Sequence, residues 1–307
     1  MNAISLIFST ITGGGFSPVS DIITPDHPER LAILAVGMIL SALPFAFHYH
    51  IFSRKGLLTR KTISIEVTVF LVLIIAAIPI FYWLSLGKAD IYSSIFHIIS
   101  SSTTTGFQYL NIQSIPYTAK IFLTLIMLVG GTAFSTAGGI KVGRFILLYQ
   151  ELTKKSREKN TTAIAETYTS SSISSTTNPY RSTEFLTKLP DEHRKRNLEE
   201  VFEQQARILK RVSLIMSKKV VREILTVIAL YVSIALITGS VLSSLTNSSF
   251  EDAMFEAVSA ISTTGLTAGI TSVNLDVFSK LLLITNMIVG RFEIITILYI
   301  FFVYFRR

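Results

Sequence analysis

Three short stretches of the chain place hydroxyl side chains and glycine side by side without a charge. They read Thr-Gly-Gly-Gly-Phe at 12–16, Thr-Thr-Thr-Gly-Phe at 103–107 and Ser-Thr-Thr-Gly-Leu at 262–266. Glycine permits backbone angles that turn carbonyl groups toward a common axis, and rings of backbone carbonyls can replace the hydration shell of a monovalent cation. The chemistry that this pattern predicts is cation coordination by main-chain oxygens, which needs no charged side chain.

The repetition of the pattern favours this interpretation over a simpler one. A single Thr-Thr-Gly would more simply be an external turn beside a packed helix, but three copies in one chain indicate a repeated unit. We assign the predicted ion filter to ten residues: Thr12, Gly13, Gly14, Gly15, Thr104, Thr105, Gly106, Thr263, Thr264 and Gly265. No metal site is predicted outside these carbonyls.

A short apolar segment precedes each stretch and must position it. Each segment has about 11 residues, whereas a helix needs about 20 to cross a bilayer. A short helix, a turn and a return to the same side make a re-entrant pore loop, which is allowed at membrane depth where protein or water surrounds it. Such a helix aims the negative end of its dipole at the membrane centre, where it favours a cation.

The composition of the chain is that of a membrane protein. Of its 307 residues 50% are hydrophobic and only 16% are charged, against about a quarter charged in a soluble domain. The net charge of +8 does not indicate nucleic acid, because 17 of the 28 lysines and arginines lie within 141–222. The absence of cysteine excludes disulfides, thiolate metal sites and a cysteine nucleophile.

Five stretches are apolar and long enough to span a membrane, which predicts an all-α membrane protein with five spanning helices and three re-entrant pore loops. The predicted spans are 31–52, 65–86, 119–149, 220–242 and 277–305. Basic residues cluster in the linker 53–61, in 150–219 and at the C-terminus. The positive-inside rule therefore places these three segments in the cytoplasm.

Three further motifs carry a family resemblance. They are Leu43-Pro44-Phe45-Ala46 in the first span, the glycine-rich run 130–142 in the third, and Gly290-Arg291-Phe292-Glu293 in the last. Together with the repeated turns, they resemble the Trk/Ktr/HKT superfamily of potassium transporters, most closely the TrkH-type membrane subunit. The resemblance covers nearly the whole chain except about 155–215.

The resemblance implies four consecutive helix–pore-loop–helix units around a pseudo-four-fold ion path. In this chain 1–52 is the pore loop and second helix of unit two, 62–149 is unit three, and 220–307 is unit four. Between the complete units, 150–219 is expected to form a cytoplasmic linker and an amphipathic helix. Unit one and the first helix of unit two are missing, so we expect either a truncated sequence or a second polypeptide that supplies them.

The run 130–139 contains four glycines and is a poor uninterrupted helix. The resemblance implies that it is an intramembrane loop that obstructs the pore as a gate; the alternative is a small-residue face for helix packing. In the last span, the permanent charge of Arg291 could repel cations or contact this loop, or it could form a structural ion pair. The predicted gate residues are Gly130, Gly131, Ser135, Gly138, Gly139, Lys141 and Arg291.

Ionisable residues elsewhere are weaker candidates. His97 lies in a predicted pore helix, where we expect a structural hydrogen bond. Glu66, Glu251 and Glu256 could attract cations at a mouth of the pore, although exposed carboxylates usually are only solvated.

The expected function is potassium uptake across the cell membrane. Glycine at all three turns favours potassium as the ion. An intramembrane hydrolase with Ser135 as nucleophile is not supported, because no Gly-x-Ser-x-Gly elbow is present; the chain is therefore not expected to be an enzyme. A non-conducting scaffold, or one part of a split transporter, remains the alternative.

We expect no cofactor, with the potassium ion as substrate. The expected partners are membrane lipid, a second copy of the chain in a homodimer, and a cytosolic nucleotide-binding regulatory subunit, with no nucleic acid.

Overall fold

The computed structural model of the chain describes residues 2–18, 23–52, 60–153 and 221–291. Most of the predicted linker and amphipathic helix at 150–219 lies outside the described residues, as do Glu293 and the rest of the last predicted span. Within them, ten α-helices follow one another: α1 Asn2–Thr12, α2 Pro28–Ser41, α3 Phe45–Phe52, α4 Arg60–Leu84, α5 Ile91–Ser102, α6 Tyr117–Val129, α7 142–153, α8 Val221–Thr246, α9 Phe250–Ile261 and α10 Val277–Arg291.

The short helices α1, α5 and α9 end at the three glycine-containing turns. At 11 or 12 residues each, they are about 18 Å long at 1.5 Å per residue, roughly half of what a spanning helix needs. Side-chain caps fix two of their starts: Asp90 accepts the amide of Ser93, and Ser249 accepts the amide of Asp252.

Helix α5 is buried although it is rich in serine. Nine of its twelve residues are buried, which would leave several hydroxyls without water. These hydroxyls donate to carbonyls of the preceding turn instead: Ser94 to Asp90, Ser101 to Ile98 and Ser102 to Ile99. A serine-rich helix can therefore be buried, because each of these hydroxyls is paired.

The stretch 31–52, predicted as one span, is two helices. Helix α2 ends at Ser41 and α3 begins at Phe45, since Pro44 has no amide hydrogen and its ring clashes with the preceding turn. The carbonyls freed at the break are satisfied from elsewhere in the chain. The carbonyl oxygen of Ala42 accepts hydrogen bonds from the amide (3.3 Å) and from the hydroxyl (2.6 Å) of Thr132.

The third predicted span, 119–149, is also interrupted. Helix α6 ends at Val129 and α7 begins at 142, with non-helical backbone between them. This segment, called the 130–141 loop below, starts at Gly130 with a φ of 70°, which glycine adopts without strain.

Two of the described helices, α4 and α8, contain segments long and apolar enough to cross a membrane. These segments are Ile65–Leu84, with a mean hydropathy of 2.6, and Val221–Thr246, with 2.3. The breaks at Pro44 and Gly130 shorten the first and third predicted spans, and the fifth continues beyond the described residues. By length and composition alone, these two segments are the membrane-crossing candidates in the described part of the chain.

The backbone contacts divide the chain into two units. The first comprises Met1–Ile146 and Thr226–Arg307, and the second comprises Leu147–Leu225. Of the second unit, the structure describes the C-terminal part of α7 and the first residues of α8. In the first unit, α5 packs on α2, α4 and α6, and α9 packs on α6 and α10. Its core is built from fully buried large side chains, among them Met38, Phe70, Phe81, Ile98, Leu123, Met127, Tyr231 and Phe255.

An ion pair joins α6 to the first turn of α9. Lys120 is only 5% exposed, and its Nζ lies 2.7 Å from Asp252 Oδ1 and 3.3 Å from Glu251 Oε1. The hydroxyl of Ser249 donates to the other Asp252 oxygen at 2.8 Å. A buried pair of this kind need not add stability over apolar residues, but losing one partner leaves the other charge without compensation.

We therefore predict that Lys120→Met lowers the free energy of unfolding by about 3–5 kcal/mol, the usual cost of breaking a buried ion pair. Thermal unfolding of the solubilised protein, followed by size-exclusion chromatography, measures the change. Lys88→Met is the matched control, because Lys88 is exposed. Equal thermal stability of Lys120→Met and the unchanged protein would contradict a structural role for the pair.

Candidate functional site

The three turns share one backbone conformation. In each, the second and fourth residues have positive φ: Gly13 and Gly15 (65° and 67°), Thr104 and Gly106 (52° and 89°), and Thr263 and Gly265 (54° and 91°). Threonine rarely adopts positive φ, so the surrounding structure must impose it. In a β-strand, successive carbonyls point to opposite sides. Alternating positive and negative φ rotates the successive peptide planes, so that neighbouring carbonyls can point to the same side.

The turns lie next to one another. A Cβ atom added to Gly15 would overlap the carbonyl oxygen of Thr105, and one added to Gly106 would overlap that of Thr264. At Gly265 the nearest such atom is the Cα of Gly106, at 4.0 Å, so among the described residues no further segment packs on that side. A cavity of about 470 Å³ opens onto all three of these glycines.

Hydroxyl groups of the short helices hold the turns in place. Ser100 donates to the carbonyl of Phe107 at 2.7 Å, and Ser259 donates to that of Leu266 at 2.6 Å. These serines occupy equivalent positions in the repeat, as do the carbonyls that they bind. The turn conformation is thus fixed by side chains from the helix that precedes it.

His97 and Glu256 hold the chain that leaves each turn. They too are equivalent in the repeat, and both are buried. The His97 Nε2 accepts the amides of Tyr109 (3.3 Å) and Leu110 (3.1 Å), while Nδ1 lies 2.8 Å from the Ser93 carbonyl and therefore carries the proton. His97 thus makes the structural hydrogen bonds expected of it.

Glu256 performs the same task with a carboxylate; it is buried, so it is neither solvated nor free to attract cations. One oxygen accepts the amides of Ala268 (3.0 Å), Ile270 and Thr271 and the hydroxyl of Thr267. The other accepts the hydroxyl of Thr271 at 2.8 Å. The correspondence with His97 in the repeat was the available sequence signal for this role.

We predict that Glu256→Ala destabilises the protein by at least about 3 kcal/mol, because each buried donor left unpaired costs about 1–3 kcal/mol. Glu256→Gln keeps an acceptor oxygen and is expected to lower the free energy of unfolding by less. Thermal unfolding of the purified variants measures both. Wild-type stability of Glu256→Ala would show that water replaces the carboxylate without penalty.

The 130–141 loop contacts all three turns. The amide of Gly138 donates to the hydroxyl of Thr104 at 2.6 Å, and a Cβ on Gly138 would overlap the carbonyl oxygen of Ser262. On the third side, the Thr136 carbonyl oxygen lies 3.5 Å from where a Cβ of Gly13 would stand. The loop therefore covers one end of the group of turns.

Arg291, at the end of the described part of α10, reaches the same loop. Its Nη1 donates to the Thr136 carbonyl at 2.7 Å. Among the described residues no ion pair of Arg291 is found. A cavity of about 160 Å³ beside the loop is lined by Ser135, Ala137, Gly138, Gly139, Lys141, Gly290 and Arg291.

The structure thus brings the ten predicted filter residues together in three adjacent turns, and the predicted gate residues together in and beside the 130–141 loop. Ser135 donates to the Thr132 carbonyl at 2.7 Å, which is a contact within the loop. Sequence reasoning did not foresee the roles of Lys120, Glu256 and Glu66. Glu251 pairs with Lys120, and the Glu66 carboxylate accepts the amide of Ala133, in the loop, at 2.6 Å.

Comparison with known proteins finds several cation transporters. Residues 57–305 match the family model TrkH, described as a cation transport protein. An uncharacterized cation transporter of Methanocaldococcus jannaschii is 24% identical over 302 residues, covering 98% of this chain and 53% of that protein. The Trk system potassium uptake protein TrkH of Escherichia coli K12 is 30% identical over 159 residues, covering 49% of this chain and 32% of that protein.

Among solved structures, the crystal structure of the potassium transporter TrkH from Vibrio parahaemolyticus matches with a TM-score of 0.67 at 20% identity. The match covers 97% of this chain and 57% of that one, so the chain spans about half the length of the relatives that it matches most fully. It has their helical fold, and a membrane location agrees with the long apolar helices α4 and α8. Since the family model covers most of its residues, the chain belongs to the TrkH family of cation transport proteins.

Proposed function

We propose that the chain forms three sides of a potassium filter, and the gate beneath it, in a transporter that takes up potassium across the cell membrane. The observation that carries the proposal is the group of three adjacent turns with positive φ at the same two positions, covered at one end by the 130–141 loop. The relatives support it, because several are named as potassium uptake proteins.

The chemistry follows from the main chain of the turns. A potassium ion gives up its water when enough oxygen atoms surround it, and backbone carbonyls supply partial negative charge without a carboxylate that would hold the ion too tightly. The ten filter residues carry no charged side chain. Gly15, Gly106 and Gly265 all line the cavity of about 470 Å³, so an ion in this cavity can reach all three turns.

A filter of this kind needs a fourth side. The open face of Gly265 is where a fourth turn would pack. It would come from further residues of the same protein or from a second polypeptide, and the latter would make this chain one part of a split transporter.

The 130–141 loop is the proposed gate. It touches all three turns, and the cavity beside it is lined by the basic residues Lys141 and Arg291. Positive charge in a low-dielectric path repels cations, so a loop in this position opposes permeation both by its bulk and by these charges. Transport then requires the loop to move.

The topology and the partners complete the proposal. We place 150–219 and the C-terminus in the cytoplasm, following the distribution of basic residues. A homodimer and a cytosolic nucleotide-binding regulatory subunit are carried over from the family resemblance. Chemical cross-linking in native membranes would test the homodimer.

Uptake itself tests the function. The complete reading frame is expressed in a host that lacks potassium uptake, and growth at low potassium is expected to be restored. The purified protein in vesicles is expected to pass a rubidium tracer. Well-folded, membrane-inserted protein that passes neither potassium nor rubidium would favour the non-conducting scaffold instead.

A further inference from the structure

The carboxylate of Glu66 meets the 130–141 loop from the side of α4. Its Oε1 accepts the amide of Ala133 at 2.6 Å, and the side chain is half-buried. The same carboxylate lies against the first turn of α7. A Cβ on Gly143 would stand 2.8 Å from Oε1 and 3.3 Å from Cδ of Glu66, so only glycine leaves room for it there.

This contact is stronger than an ordinary turn contact. Hydrogen bonds to an ionised acceptor are roughly twice as strong as those between neutral groups. A negative charge at the first turn of a helix is further favoured by the helix dipole. Glu66 is therefore suited to hold the loop and the start of α7 in one position relative to α4.

A second charged side chain holds the same turn of the loop. Arg291 donates to the carbonyl of Thr136, three residues after Ala133. The loop is thus bound by an acceptor on α4 and by a donor on α10, each matched in charge to the backbone group that it binds. A further charged donor, Arg144 of α7, binds the Ile140 carbonyl at the end of the loop at 2.9 Å, while the contacts of Thr132 with Ala42 are between neutral groups.

We propose that Glu66 is a positioning residue of the gate: its carboxylate fastens the 130–141 loop to α4 in the closed state, and the loop can leave the filter only when this bond breaks. The proposal rests on the proposed function of the loop. It implies that displacement of the start of α4 is transmitted to the gate, because Glu66 lies within the first two turns of that helix.

This chain contains no cysteine, which allows a direct measurement of loop position. Ala137 lies in the loop and is 3% exposed, so Ala137→Cys gives a single thiol that is protected when the loop is closed. In this background, Glu66→Ala is expected to raise the rate of maleimide modification by about tenfold or more, since it removes a charge-assisted bond. Glu66→Gln retains an acceptor oxygen and should fall between. Val72→Ala, on an exposed face of the same helix, should leave the rate unchanged.

Gly143→Ala provides an independent route to the same bond. Its added methyl group displaces the carboxylate, so it should raise the modification rate when Glu66 is present and add nothing to Glu66→Ala. A general loosening of the fold would add to Glu66→Ala instead. If Glu66→Ala does not yield folded protein, the pair Glu66→Gln and Gly143→Ala decides the question.

Cation flux of the complete protein in vesicles separates this proposal from the function on which it rests. Faster modification together with raised flux supports both. Faster modification with unchanged flux supports the role of Glu66 and overturns the loop as gate. An unchanged modification rate in folded Glu66→Ala and Gly143→Ala proteins overturns the role of Glu66, whatever the flux.

Discussion

Replacing Gly106 by valine is expected to abolish cation uptake while leaving the helices folded. Gly106 has a φ of 89°, which a β-branched residue adopts only as an outlier, and a side chain there would overlap the Thr264 carbonyl oxygen. The turn must therefore change shape, and the neighbouring carbonyl must leave the proposed filter. Growth of an uptake-deficient host at low potassium, with the complete reading frame, measures the loss.

Gly265→Val separates the backbone effect from the overlap. Gly265 has a φ of 91°, but the nearest atom to an added Cβ is 4.0 Å away. Loss of uptake is expected here as well, from the backbone alone. Gly87→Val is the matched control, because Gly87 has a φ of 80° with nothing within 4 Å and lies outside the turns. Normal rescue of growth by Gly265→Val would refute the filter assignment.

Local features of this fold could be predicted from sequence because each depends on neighbouring residues. The short helices before the turns follow from runs of apolar residues that end in threonine and glycine. The end of α6 follows from the glycines after Val129. The repeated sequence of the turns predicts a shared conformation, and their φ angles agree with one another.

The partners across the molecule could not be predicted in the same way. A proline inside an apolar stretch indicates a kink, but not that Thr132 would fill the break at Pro44. The equivalence of Glu256 to His97 in the repeat was a sequence signal for its role, but nothing in the sequence indicates that Glu66 binds the 130–141 loop. These roles depend on contacts between residues far apart in the chain, which a single sequence does not specify.

Arg291→Ala is expected to raise cation flux and weaken gating in the complete transporter. The guanidinium stays protonated at any relevant pH, so its charge beside the 160 Å³ cavity is permanent. It also holds the loop through its 2.7 Å bond to the Thr136 carbonyl. Replacing Arg291 by alanine removes the charge and the bond to the loop together. A tenfold rise in flux requires a barrier lower by only about 1.4 kcal/mol, which loss of a charge or of a charge-assisted bond can supply.

The conservative variant and the stability of the protein distinguish this role from a structural one. Arg291→Lys keeps the charge but not the planar donor geometry, so it should retain part of the barrier to cation flux. Ile288→Ala is the control, because Ile288 is exposed one turn earlier in the helix, and it should leave flux unchanged. If Arg291 instead pairs with a buried carboxylate, Arg291→Ala would leave that carboxylate without a partner. The free energy of unfolding would then fall by about 3–5 kcal/mol, and the yield of folded protein would collapse. Flux per folded molecule in vesicles separates the two, and unchanged or lower flux from well-folded Arg291→Ala protein would refute the barrier.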